Sequence, residues 1–185
     1  MSEMIGRAGG PRDDLGIEEE ASDLVPNARG ARWFRRHLIG GVVALTTMTE
    51  GAFRGSTVTA VTMVSAEPLL ILVSIERDSQ MDGWLSESGF FALSVLPWRE
   101  QFLADQLAGF APRASSRFEG IQYRLAVTGA PVVSACIAWV DCTVAQVVET
   151  GDHRAYIGQA RAIGRGTGDA EDPLIYYLNR YRRIR

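Results

Sequence analysis

Hydrophobic and polar positions change their period near Gly40. Ahead of it, Ala28 to Leu38 places Trp33, Phe34, His37 and Leu38 on one side of a helical repeat and arginines on the other, which predicts a short amphipathic helix. Beyond it, the apolar positions come in short runs broken by turn signals. Gly41 to Thr49 is rich in Val, Leu and Thr, Glu50-Gly51 marks a turn, and Ala52 to Thr57 returns as a hairpin partner. Thr59 to Ser65 is small and β-branched and is closed by Ala66-Glu67-Pro68. Leu69 to Ile75 is almost wholly apolar, which predicts a buried central strand. Ser79 opens a short helix that ends near Gly89, with Trp84 and Leu85 turned inward. Phe90 to Leu96 is a buried strand, and Pro97 starts a helix to about Ala108.

The second half continues in strands. Gly109 to Gln122 is irregular; Tyr123 to Val127, Ala135 to Val148 and Arg154 to Ile163 read as strands, with Gly151-Asp152 turning between the last two. Gly164 to Asp172 reads as a loop, and Pro173 to Tyr181 as a final strand or short helix. Many strands and only two or three short helices predict a mainly β barrel or sandwich. No Gly-x-Gly-x-x-Gly opens a helix after a first strand, so a nucleotide cofactor would not be held as in a dinucleotide-binding βαβ unit.

Composition narrows the function. Of 185 residues, 46% are hydrophobic and 22% charged, which suits one globular domain. Residues 1–27, rich in glycine and acid, read as a disordered leader, leaving 28–185 as the folded domain. A net charge of −3 gives no electrostatic footprint for nucleic acid. No apolar stretch approaches the roughly 20 residues of a membrane helix, and no signal-peptide core is present, so the expected compartment is the cytoplasm. Lysine is absent, so arginine alone supplies the strong cations. Cys136 and Cys142, read in one strand, are too far apart for a disulfide within it, and no Cys/His cluster suggests a metal.

Four constellations carry candidate chemistry. Gly55-Ser56-Thr57-Val58-Thr59-Ala60-Val61-Thr62 packs hydroxyls and small side chains where a flat ligand could approach the backbone, although an ordinary threonine-rich strand reads the same way. Arg77, Ser79 and Gln80 stand where a buried strand meets a helix N-terminus, which suits either a phosphate or plain capping. Phe110 to Phe118 brackets Arg113 and Arg117, a phosphate clamp or a solvated basic loop. Gly151-Asp152-His153 sets a histidine beside a carboxylate at a hairpin tip. No Ser-His-Asp or Cys-His signature supports nucleophilic catalysis.

Taken in order, these segments resemble the flavin reductase family of the FMN-binding split-barrel fold, many members of which are reductase components of two-component monooxygenases. The resemblance is carried by Gly40 to Thr47, Gly55 to Ser65 with Pro68-Leu69-Leu70, Ser79, Phe90 to Leu96, Leu107 to Ala111 with Arg117-Phe118, Gly129-Ala130-Pro131, Cys142, Gly151-Asp152-His153, Gly158, Pro173 to Tyr176 and Tyr181-Arg182. The family's flavin strand often carries serines where this chain has Thr59-Ala60. The resemblance implies that Thr57, Val58, Thr59, Ala60 and Thr62 line the isoalloxazine and ribityl chain of FMN or FAD. It implies that Arg77, Ser79 and Gln80 take the flavin phosphate side, with Phe110 and Arg117 on the loop nearby. His153 would meet NADH or NADPH, with Tyr181 and Arg182 close by. It further implies a homodimer, hydride transfer between cofactors without a catalytic residue, and a partner flavin-dependent monooxygenase. An FMN-dependent oxidase and a non-catalytic flavin-binding redox module of the same fold are the rival readings.

Overall fold

The computed structural model describes residues 26–110, 118–168, 170 and 172–184; residues 1–25 of the leader and most of the loop carrying Arg113 and Arg117 lie outside the described residues. The chain forms two units, Met1–Arg35 and Arg36–Arg185. Helix α1 (Ala28–His37) begins in the first and ends in the second. Asn27 caps it: its Oδ1 accepts from the backbone N–H of Arg29 and of Gly30, both at 3.0 Å.

The second unit is built on one antiparallel sheet. Strands β2 (Val43–Thr49), β3 (Ala52–Val58), β4 (Val61–Ala66), β5 (Leu69–Glu76), β6 (Phe90–Val95), β9 (Ala138–Thr150) and β10 (His153–Arg165) pair in the order β3-β2-β6-β9-β10-β5-β4. β3 and β4 are therefore opposite edges of a seven-stranded sheet, yet only Thr59 and Ala60 separate them in sequence. Two residues span about 10 Å at most between flanking Cα atoms. The sheet must therefore curl until its edges meet at that point, leaving a split along the remainder. The mainly β reading, with a few short helices, is what the structure holds.

Turns set the register. Glu50 and Gly51 both adopt positive φ (51° and 70°), the geometry that fits the twist of a two-residue hairpin joining β2 to β3. Ser79 caps α2 (Gln80–Ser88), its Oγ accepting from Asp82 N–H at 3.2 Å, and Gly89 ends the helix at φ 71°. Pro97 opens a 3-10 turn before α3 (Gln101–Ala108). β7 (Tyr123–Leu125) and β8 (Pro131–Val133) form a side hairpin. β1 (Gly40–Gly41) joins β11 (Ile175–Tyr177) and β12 (Arg180–Arg182) in a small sheet.

The main core lies inside the curled sheet, where Leu45, Val73, Phe91, Cys142 and Tyr156 pack under Met81 and Leu85 of α2. Several sequence expectations need correction. β5 is second from an edge, with Val73 and Ile75 buried and Leu69 to Leu72 half-exposed; Leu70 and Leu72 point to the face opposite Val73 and Ile75, away from the core. β8 lies in the short apolar run Pro131-Val132-Val133, and β9 starts at Ala138. Cys136 accordingly sits in the turn before β9 instead of sharing a strand with Cys142; both thiols are fully buried and unbridged. β10 runs on through Gly164 and Arg165, and the C-terminal segment is a hairpin turned by Leu178 and Asn179.

Candidate functional site

The split supplies the first component. β3 pairs only with β2 and β4 only with β5, so each presents a free backbone edge toward the split. At the crossing, Thr59 and Ala60 are exposed, and Ala60 C=O accepts from Ser74 N–H of β5 at 3.0 Å. Val58 is half-buried against the core and Thr62, opposite Leu72, faces solvent. The Thr57 hydroxyl donates to Ala104 C=O of α3 at 2.7 Å, which leaves its lone pairs as acceptors.

The C-terminal hairpin closes on the same region. Gly40 pairs with Tyr176, and a Cβ placed on Gly40 would lie 2.9 Å from the Thr59 Cβ, so the glycine lets β1 sit directly against the crossing. Tyr181 packs edge-on to Tyr176 at 5.7 Å and donates its hydroxyl to Asp105 Oδ1 at 2.8 Å. Burial, then the Asp105 carboxylate, pushes its phenol well above the ordinary tyrosine range. Ala104 and Asp105 are neighbours on α3, so Thr57 and Tyr181 are held by one helical turn. Arg182, opposite Ile175, is exposed.

The third component is the turn from β5 into α2. Three residues along β5 separate Ser74, bonded to Ala60, from Arg77, a distance of about 10 Å at strand rise. Arg77 is exposed, and its ion pairs with the described residues are long, 3.7 Å to Asp78 and 4.0 Å to Glu149. Gln80 is exposed at the first turn of α2. Ser79 Oγ accepts the capping bond, but its own O–H can still donate. Phe110 is 80% exposed just beyond α3, and Arg117 lies outside the described residues.

The β9–β10 hairpin is clamped to that turn. Arg77 N–H donates to Asp152 C=O at 2.9 Å, and His153 pairs with Glu76. His153 Nδ1 lies 2.8 Å from Asp152 Oδ1. The histidine bond holds the Asp152 carboxyl below its usual range, so it is ionised and can only accept. Nδ1–H is therefore the donor, and Nε2 is the atom left to meet a ligand.

Behind these residues lies a network of Asp82, Tyr156 and Arg154, none of them among the residues that the sequence marks as candidates. Asp82 of α2 is 3% exposed. Its Oδ1 accepts from Tyr156 O–H at 2.5 Å, and its Oδ2 from Arg154 Nη1–H at 2.7 Å and Asp78 N–H at 3.2 Å. Arg154 also donates from Nε to Glu149 Oε1 at 2.7 Å. Burial and then Asp82 push the Tyr156 phenol upward. The available signals were the Ser79-x-x-Asp82 spacing of a capping box and the i, i+2 placement of Arg154 and Tyr156 on one strand face.

Among the described residues no cluster of His, Cys, Asp or Glu could hold a metal ion, and no helix is long and apolar enough to cross a membrane. What the arrangement offers is an exposed-edge split for a planar group, a cation and helix N-terminus about 10 Å away for an anion, and a carboxylate-oriented imidazole beside that anion site. The sequence model of the "Flavin reductase like domain" matches residues 34–185. A flavin reductase of Pseudomonas putida is 32% identical over 170 residues, covering 87% of this chain and 94% of that protein. The NADH:FAD oxidoreductase SgcE6 of Streptomyces globisporus C-1027 superposes with a TM-score of 0.81 at 26% identity, over 90% of this chain and 99% of that one. BorF, the flavin reductase component of a bacterial two-component tryptophan halogenase, superposes at 0.76 with 30% identity, over 85% and 98%.

Proposed function

The chain belongs to the flavin reductase family, and from that premise we propose that it uses NADH to reduce a diffusible FMN or FAD and delivers the reduced flavin to a separate flavin-dependent monooxygenase. A bound flavin would supply the hydride acceptor and NADH the hydride with its electron pair, and the protein would supply alignment and charge.

The residues fit that cofactor. Free edges of β3 and β4 bracket the crossing at Thr59-Ala60, where small side chains admit a ring and backbone groups can bond to its rim. Arg77, the Ser79 hydroxyl and the N-terminus of α2 take the phosphate one ribityl length away. His153, oriented by Asp152, meets the nicotinamide nucleotide, with Tyr181 and Arg182 at the far side of the split. The observation that carries the reading is the 2.9 Å bond from Arg77 N–H to Asp152 C=O, because it makes the phosphate turn and the histidine hairpin one unit.

The same reading includes a homodimer. On the outer face of β4, β5, β10 and β9, Thr62, Leu72 and Ile157 stand opposite one another, with Leu70 and Val148 on the same face. These apolar side chains are half-buried or exposed, and a second copy would cover them. Light scattering on the eluting protein should give twice the chain mass.

The test of the site is His153→Ala. The expected result is a fall in kcat/KM for NADH with the FMN Kd unchanged; wild-type kcat/KM would remove the histidine from the site. Oxidised flavin is expected to dissociate at micromolar concentration. Stoichiometric flavin that survives dialysis would instead favour the permanently loaded oxidase.

A further inference from the structure

The carboxylate of Asp82 is almost wholly buried, yet it holds two separate pieces of the site. Its Oδ2 binds the backbone N–H of Asp78, a non-glycine residue at φ 64° in the turn that carries Arg77 and Ser79. In a capping box the side chain at this helix position returns to the cap residue's own N–H. Here it reaches one residue further and fixes the left-handed corner of the turn. The same Oδ2 binds Arg154 Nη1 at 2.7 Å, and Arg154 follows His153 directly on β10. The second arm of that guanidinium is taken by Glu149 of β9 at 2.7 Å. Arg154 thus has both Nε and Nη1 on short carboxylate bonds and acts as a brace across both strands of the hairpin and onto α2.

We propose that Asp82, through its pair with Arg154, is a positioning residue that fixes the spacing between the phosphate-binding turn and the His153 hairpin. This rests on the reading of the site given above. The turn holds one nucleotide and the hairpin the other, so their separation sets the distance from hydride donor to acceptor. The ladder between β10 and β5, from His153–Glu76 to Gln159–Leu70, and the bond from Arg77 N–H to Asp152 C=O hold the hairpin to the strand before the turn; the Asp82–Arg154 pair ties the hairpin to α2 beyond the turn, so that the left-handed corner is fixed from both sides.

The experiment compares wild type, Asp82→Asn, Arg154→Gln and the double variant for kcat, KM for NADH, FMN Kd, Tm and the kinetic isotope effect with C4-deuterated NADH. Asp82→Asn keeps one acceptor oxygen for Asp78 N–H and turns an amide N–H2 toward the Tyr156 hydroxyl, which can accept, but it loses the charge that anchors Arg154. A loss of alignment near 1 Å lowers kcat roughly 10- to 100-fold and raises the isotope effect, while FMN Kd stays within about threefold. The double variant falls no further than the single ones, because both remove the same brace. Asp141→Asn serves as the structural control: that buried carboxylate accepts from Thr128, remote from the site, and its loss lowers Tm with kcat and the isotope effect unchanged. If Asp82→Asn behaves like this control, the assignment is overturned. If Asp82→Asn does not fold, Arg154→Gln must show the kcat and isotope changes alone, and unchanged values overturn the assignment equally. A wild-type protein that oxidises no NADH with FMN or FAD overturns the underlying reading itself.

Discussion

Arg77→Gln separates phosphate recognition from folding. The Arg77 side chain is 47% exposed, and its carboxylate partners lie at 3.7 and 4.0 Å, so in the free protein it contributes on the order of 0–1 kcal/mol to stability. A bond from a guanidinium to a phosphate dianion is worth about 1.5–3 kcal/mol. At 1.4 kcal/mol per decade that corresponds to roughly a 10- to 140-fold loss of FMN affinity, with the lower end expected at physiological salt because the site is open to solvent. Riboflavin has the same ring and ribityl chain without the phosphate, so its Kd should not move. Titrating each flavin against wild type and Arg77→Gln, at low and high salt, measures the difference directly. The FMN effect should shrink as salt rises. Equal losses for FMN and riboflavin, or no loss for FMN, would show that Arg77 does not face the phosphate.

Three further substitutions probe the scaffold. Ser79→Ala removes the α2 cap and one phosphate donor, and should cost about 1 kcal/mol in urea unfolding while weakening FMN and sparing riboflavin. In Gly158→Ala the new Cβ would lie 2.4 Å from Phe91 Cζ and 2.7 Å from Cys142 Cβ; overpacking of about 1–3 kcal/mol should lower Tm by several degrees, and an unchanged Tm would mean that the bulge at Ile157/Gly158 is looser than described. The Cys142 thiol, pushed from 9.0 to about 12 by burial and then by Asp141, favours the folded state fully below pH 9 and loses that contribution as pH climbs toward 12. Urea unfolding should therefore show the stability gap between wild type and Cys142→Ala closing by about 1.4 kcal/mol per pH unit above pH 9.

Sequence reading located most of the fold because turn chemistry here is local. Glu50-Gly51, Ser79, Gly89 and Gly151-Asp152 all punctuate the chain where their side chains or φ values require. Strand order was not legible, since nothing in Leu69 to Ile75 reveals that its neighbours are β10 and β4 and that one face stays half-open. The site was legible as segments and not as geometry. Thr57 belongs to the hydroxyl-rich segment, Ser79 reads as a cap or phosphate seat and Tyr181 enters only through the family resemblance; each hydroxyl makes a structural bond, to Ala104, Asp82 and Asp105. The brace of Asp82 and Arg154 joins residues 72 positions apart. A lone acid in a helix and a lone arginine in a strand look like surface charges until the fold brings them together.

The most direct test is to mix the purified protein with NADH under air and follow the loss of the reduced nicotinamide band with and without added FMN or FAD, then repeat with NADPH. Rapid oxidation of NADH that appears only when flavin is added, and rises with its concentration, is the expected result. NADH left unoxidised while flavin demonstrably binds would contradict a reductase and leave a flavin-binding module or an oxidase in its place.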